Sequence, residues 1–324
     1  MDKRGLLDLM ICRIPGLSAS ERVLLGEKFD REDELFILSK RDIEKIINRP
    51  AARNAWNMED IRSQAERDAA AARLRGIAYV PIVSPDYPPL LREIWDPPAL
   101  LFYRGTLPPP DRPLAAVVGT RRPGAQGLAQ AYAIARDLAA EGIPVVSGLA
   151  LGIDAMAHRG ALEGGGPTWA VLGSALDQVY PASNRVLARR ILETGGGLLS
   201  EYPPGVGPAR WRFPARNRII SGLARGSLIV EAPLRSGALI TARFALEQGR
   251  DLWVSREGVF SSQGEGCRNL AEEGAGIIAS AGDILKEWGI PEREKIKPPL
   301  PVGEDLSKGT ALALSLARSL NITW

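Results

Sequence analysis

Between positions 210 and 218 the chain reads Arg210-Trp211-Arg212-Phe213-Pro214-Ala215-Arg216-Asn217-Arg218, four arginines and two aromatic rings within nine residues and no acid among them. A guanidinium stays charged and offers forked donors to a phosphate. An aromatic ring offers a face on which any base stacks. Alternating the two suits a single-stranded nucleic acid. The competing assignment places Trp211 and Phe213 in a core and leaves the arginines at the surface. Pro214 fits a helix start, so the segment predicts a helix whose first turn carries Arg216 and Arg218.

Four further segments have the composition of ligand loops. Gly119-Thr120-Arg121-Arg122-Pro123-Gly124-Ala125-Gln126-Gly127 follows an apolar run. Its glycines permit close backbone approach, the next helix offers free N–H groups, and two arginines add charge; the alternative is a tight turn with solvated arginines. In Ser147-Gly148-Leu149-Ala150-Leu151-Gly152-Ile153-Asp154, the acid predicts a helix cap, and His158, the chain's one histidine, lies four residues further along the same face. A general-base pair is conceivable there, but a structural pair at a helix start is the expectation. In Gly173–Asn184, Ser183 or Asn184 predicts a cap and Tyr180-Pro181 fixes the loop. In Glu231–Ala242, Ser236 predicts a cap for a helix near Gly237, in a turn that suits a phosphate. Neither a Walker A nor a G-x-G-x-x-G pattern occurs.

These loops need a frame. Apolar runs at 114–118, 143–147, 168–172, 197–200, 226–230, 251–254 and 276–278 alternate with helix-like stretches such as Leu128–Ala140 and Leu239–Gln248. The pattern predicts an α/β fold, a Rossmann-like doubly wound mostly parallel sheet with a small N-terminal helical domain, and ligands beyond the carboxyl ends of its strands. Residues 1–75 read as that helical domain. Leu6, Leu7, Leu9, Met10 and Ile11 form its first apolar face, and Ile14-Pro15-Gly16-Leu17-Ser18 forms a turn with Ser18 or Ser20 as cap. The turn loosely resembles one hairpin of a helix-hairpin-helix unit. Residues 76–290 form the extended Rossmann-like domain, entered through short β-like runs at Ala78-Tyr79-Val80 and Leu100-Leu101-Phe102-Tyr103. Residues 291–324 read as a charged linker and one helix over 310–319.

Composition narrows the class. The chain has 324 residues, 45% apolar, a net charge of +3 and two cysteines, Cys12 and Cys267. A disulfide framework or cysteine-based metal site is not expected, and a reducing cytosol fits. The longest apolar stretches fall short of a membrane span, and the N-terminal stretch, broken by Arg13 and Pro15, makes a poor signal peptide. No cofactor or metal is implied.

Taken in order, the quoted segments resemble the DNA-processing protein A (DprA/Smf) family over roughly residues 76–290. The most specific stretch runs from Ser200 through Phe213–Leu223 to Ser236-Gly237-Ala238-Leu239-Ile240-Thr241-Ala242. The resemblance implies a cytoplasmic single-stranded-DNA-binding protein, not an enzyme, that protects incoming DNA. It implies a homodimer that helps load a RecA-type recombinase in natural transformation. By position it carries DNA contact to Arg121, Ser147, Gly148, Phe213, Arg216 and Arg218, which Arg210 and Arg212 join on their own pattern. The apolar helices near 239–248 and 281–288 are candidate dimer surfaces.

The chain departs from the family pattern at Gly124 and Gln126, and Ser255-Arg256-Glu257-Gly258 replaces a Val-Pro-Gly turn. The winged helix that ends many members reads as absent or truncated. The main alternative is a nucleotide phosphoribohydrolase of the lysine-decarboxylase-like group, but its Pro-Gly-Gly-x-Gly-Thr-x-x-Glu motif is missing. A nicotinamide-dependent dehydrogenase lacks its fingerprint, and a purely structural protein would leave the arginine–aromatic run without a use.

Overall fold

The computed structural model describes residues 3–51 and 57–291. The linker and helix expected beyond 291 lie outside the described residues. Within them runs a nine-stranded sheet: β1 (Ala78–Pro81), β2 (Leu100–Gly105), β3 (Ala115–Val118), β4 (Val145–Ser147), β5 (Thr168–Val171), β6 (Gly197–Ser200), β7 (Gly226–Ile229), β8 (Asp251–Ser255) and β9 (Gly276–Ile278). The spatial order is β1-β2-β6-β5-β4-β3-β7-β8-β9. β1 and β2 pair antiparallel, as do β2 and β6, and the remaining pairings are parallel. The result is the mostly parallel, Rossmann-like α/β sheet.

Five helices precede the sheet: α1 (Lys3–Arg13), α2 (Ala19–Lys28), α3 (Glu32–Phe36), α4 (Lys40–Ile47) and α5 (Met58–Leu74). α6 (Pro89–Arg92) lies between β1 and β2. The sheet's further helices are α7 (Ala125–Ala140), α8 (Ile153–Glu163), α9 (Arg185–Glu193), α10 (Arg212–Leu223), α11 (Ala238–Glu247), α12 (Arg256–Phe260), α13 (Glu265–Glu272) and α14 (Ala281–Trp288).

Successive residues of a strand point to opposite faces. Ala115 and Val117 of β3 join an apolar cluster with α7, α8 and α14, while Ala116 and Val118 join another with α10, α11 and α13. A strand buried on both faces must be apolar without interruption, which makes these strands visible as runs. α14 buries Ala281, Ile284, Leu285 and Trp288, with Trp288 tilted against Trp253 at 5.5 Å. Its apolar face is therefore spent on the core, which corrects the expectation of a dimer surface at 281–288.

The N-terminal helices share an apolar cluster with β2, α9 and β6 through Leu7, Met10, Phe102, Ile191 and Leu198. Ser18, not Ser20, caps α2: it accepts from the Glu21 N–H while Glu21 accepts from the Ser18 N–H, a reciprocal capping box. Arg13 forks onto Asp68 at 2.6 and 2.7 Å, joining α1 to α5.

After β3 the chain moves outward through β4, β5 and β6, then returns to place β7 on the other side of β3. The carboxyl ends of β3 and β7 therefore flank the point where the winding reverses. In open α/β sheets the loops diverge at that point and leave a crevice.

Candidate nucleic-acid interface

A cleft of about 720 Å³ opens at this switch point. Arg121 and Arg122 enter it from the loop after β3, Arg235 and Ser236 from the loop after β7, and Arg210, Phe213 and Arg216 from the start of α10. Tyr180 and Gln263 complete the rim. Among the described residues, Asp154 is the one carboxylate in the lining.

The backbone that carries these side chains is tightly fixed. Thr120 N–H donates to Glu231 O at 2.8 Å, and Gly124 N–H reaches both oxygens of the buried Glu231 carboxylate at 3.2 Å. The loop after β4 is held from both ends. Asp154 accepts from Gly148 and Ala150 N–H at 3.2 and 3.4 Å, while Asn184 Nδ2 donates to Leu149 O and Ala150 O at 2.9 and 3.3 Å. Leu149 holds a left-handed φ of 56° within it. Gly152 has φ 78°, and a β-carbon there would come within 2.5 Å of Thr120 O. Glycine is required where these two loops cross. Asn184 thus pins a neighbouring loop and makes no side-chain cap on α9, contrary to the cap expected of it. Ser236 does accept from the Ala238 N–H, at 3.3 Å, at the start of α11. In the unusual segment after β8, Ser255 caps α12 through the Gly258 N–H and donates to Val230 O.

The arginines divide into two sets. Arg121 and Arg210 are exposed at the cleft. The Arg121 guanidinium lies 5.3 Å from the Phe213 ring centroid, and Tyr180 leans on the same ring at 5.5 Å. Arg216 is 4% exposed and donates to Gly148 O, at 2.7 Å, and to Val171 O. Burial lowers it to about 10, Asp154 opposes that fall, and Arg121 adds to it by repulsion. Burial raises the Asp154 carboxyl, partly offset by Arg216 and by backbone N–H groups. Arg218 is absent from the cleft lining. It forks onto Glu201 at 2.7 and 2.9 Å and bonds Asp96 through the main-chain and carboxylate oxygens.

The sequence pattern assigns all of these arginines to phosphates; in the fold, internal partners hold Arg216, which still lines the cleft, and Arg218, which does not. Arg212 also turns away from the cleft, to Gly207 O. Ser147 is fully buried and donates to Val117 O, whereas Gly148, buried with its carbonyl on Arg216, lines a small recess beside the cleft together with Arg121, Tyr180 and Phe213. α10 begins at Arg212, two residues before Pro214, so Arg216 and Arg218 fall in its second turn. Of the expected residues, the fold brings Arg121, Arg210, Phe213 and Arg216 together at one cleft. It adds Arg235, whose place follows from β7 lying beside β3, together with Tyr180 from the loop after β5 and Gln263 from the turn between α12 and α13.

The Asp–His pair resolves into two separate attachments. Thr168 Oγ1 donates to Val145 O at 2.6 Å, so the 2.8 Å contact to His158 Nδ1 is a donation from the ring. Nε2 is buried without a protein partner. Burial and, secondarily, Arg216 lower the imidazole to about 3, so it is neutral at pH 7. The unfolded chain takes up this proton below about pH 6.5, whereas the folded chain resists it, so stability is lost as pH falls from about 6.5 towards 3. At pH 5 the loss is about 2 kcal/mol. Denaturant titrations at pH 7.5 and 5.0 should show the wild type losing that much more than His158→Gln; equal losses would remove the assignment.

Among the described residues no group of three His, Cys, Asp or Glu side chains is arranged to hold a metal ion. Both cysteines are free thiols, and no described helix is long and apolar enough to cross a membrane.

Comparison with known proteins is consistent in family and fold. Residues 78–289 match the family model described as DNA recombination-mediator protein A. The DNA processing protein DprA of Bacillus subtilis is 38% identical over 291 residues, covering 88% of this chain and 95% of the relative. That of Streptococcus pneumoniae is 44% identical over 202 residues, covering 62% and 71%. The X-ray structure of the S. pneumoniae protein superposes with a TM-score of 0.70 at 36% identity, over 88% of this chain and 94% of that one. A Helicobacter pylori DNA processing protein A, described for its unique single-stranded DNA binding mode, superposes with a TM-score of 0.58 at 30% identity, over 65% and 95%. With the family model spanning the sheet from β1 to α14, the chain belongs to the DNA recombination-mediator protein A (DprA/Smf) family of DNA-processing proteins.

Proposed function

We propose that this chain binds single-stranded DNA in the cleft between the β3 and β7 loops. The observation that carries the reading is the Arg121–Phe213 contact at the mouth of a cleft ringed by Arg122, Arg210 and Arg235. A phosphate draws Arg121 off the ring and a base takes its place on the exposed face. Arg121 and Arg216 repel each other in the free protein, and an anion between them relieves that repulsion. The H. pylori relative's single-stranded DNA binding supports the assignment. The binding is non-catalytic: the one histidine is buried and neutral, outside the cleft lining. Labelled oligonucleotides test it. Single strands of any sequence should bind, and duplex should bind far more weakly because its bases are already stacked; equal affinity for the two overturns the reading.

The family's description as a recombination mediator supports a finer role, loading a RecA-type recombinase onto incoming DNA in the cytoplasm during natural transformation. Addition of the protein to single strands covered by a single-strand-binding protein should speed recombinase assembly, and no acceleration removes that role. A homodimer accompanies it in this proposal. β9 is an edge of the sheet, and its Ile277 is 55% exposed; an uncovered apolar edge strand favours pairing with another copy. On α11, the exposed Leu246 offers a second surface. Light scattering at micromolar concentration should give twice the chain mass, and a monomer would refute the dimer.

A further inference from the structure

Three features of the described residues outside the cleft bear on a ligand. A groove beside β1 is lined by Tyr79, Tyr103 and several prolines, but no feature of the groove favours one occupant. The fully exposed Trp95 stands alone on its turn. The third is built: Trp211, 62% exposed, meets the Tyr202 ring edge-on at 6.3 Å, and the Arg212 guanidinium sits 4.9 Å from both ring centroids. Arg212 is fixed in place by Gly207 O.

We propose that the Trp211–Tyr202–Arg212 platform is a second stacking subsite, holding a nucleotide of the strand after it leaves the cleft. The inference rests on the single-strand reading above. Continuity supports it. Arg210 and Phe213 line the cleft, and Trp211 and Arg212, between them in sequence, face outside it. A strand passing Arg210 therefore meets Trp211 next. Charge supports it too. No acid occurs from Tyr202 to Val230, and the adjacent Glu201 is neutralised by Arg218 at 2.7 Å. A large exposed ring beside a guanidinium suits a base flanked by phosphates, because stacking and cation–π attraction act on the same ligand. An apolar protein partner would find the ring's flank occupied by a charged guanidinium.

The test compares oligothymidylates of about four and about twelve nucleotides, both within the roughly 4–16-nucleotide range of site sizes for single-strand grooves. Trp211→Ala should retain the wild-type affinity for the short oligomer and lose roughly 5- to 150-fold for the long one, the scale of one base–aromatic stack. Trp211→Phe should restore most of the loss. A 5-iodouracil placed at successive positions should crosslink to Trp211 from a nucleotide outside the one that crosslinks in the cleft. Undiminished long-oligomer binding by Trp211→Ala, as expected if the ring serves a protein partner, overturns the proposal. So does an equal loss for both lengths. Failure of the wild type to bind either oligomer instead overturns the single-strand reading itself.

Discussion

Arg216→Met should lower stability by about 3–5 kcal/mol, the cost of removing one member of a buried charged network. The substitution keeps an apolar stem of similar length but leaves Gly148 O and Val171 O without their shared donor. It also strips Asp154, buried at 5% exposure, of the positive charge that offsets its desolvation. A fall of about 10 °C in melting temperature follows for a domain of this size. Arg210→Ala, at the exposed rim of the same cleft, should stay within about 0.5 kcal/mol of wild type. Because both side chains bond Gly148 and their charges attract, adding Asp154→Asn to Arg216→Met should recover part of the loss, the non-additivity expected of groups in one hydrogen-bond network. An Arg216→Met protein that melts with the wild type would show that the arginine is not structural, and the division of the arginines into buried and cleft-facing sets would fall.

That division is where the sequence is least legible. The parallel strands could be read because each is buried on both faces, so that Ala115–Val118 and Gly226–Ile229 appear as uninterrupted small and apolar runs. Helix periodicity located α7 and α11 on the same principle. From the loops that follow apolar strands it could be inferred where a ligand would lie. The role of each arginine could not. Arg216 and Arg218 are two residues apart and identical in type, yet one donates to carbonyls of β5 and the loop after β4 while the other pairs with Asp96, 122 positions away. Such partners are chosen by the fold and leave no local pattern. Pro214 misled for a related reason. A proline is tolerated throughout the first helical turn, whose N–H groups have no intrahelical acceptor, so it marks the turn but not its first residue. Arg235 went unassigned because its nearness to Arg121 depends on β7 returning beside β3, a long-range pairing.

The exposed set makes the sharper prediction about binding. Phe213→Ala should cost about 1–3 kcal/mol in single-strand affinity, the scale of one lost base–aromatic stack. Stacking releases no counterions, so a plot of log affinity against log salt should keep the wild-type slope. Arg121→Ala should weaken binding by a similar amount, about 1–3 kcal/mol for a charge-assisted hydrogen bond, but by a different route. Each lost phosphate contact should flatten the slope by about 0.7, so combining alanines at Arg121, Arg210 and Arg235 should flatten it by about 2. Arg121 complicates the simple expectation, because its guanidinium lies over the Phe213 ring in the free protein. If a base must displace it, part of the stacking energy goes to breaking that contact, and Phe213→Ala then falls at the low end of its range. In the Arg121→Ala background the ring is already bare, so truncating Phe213 there should cost more than it does in the wild type. Titrations of the two single variants and the double variant, at several salt concentrations, measure each term. A Phe213→Ala protein that binds like wild type, or one whose slope falls as far as that of an arginine variant, would remove the stacked base from the cleft.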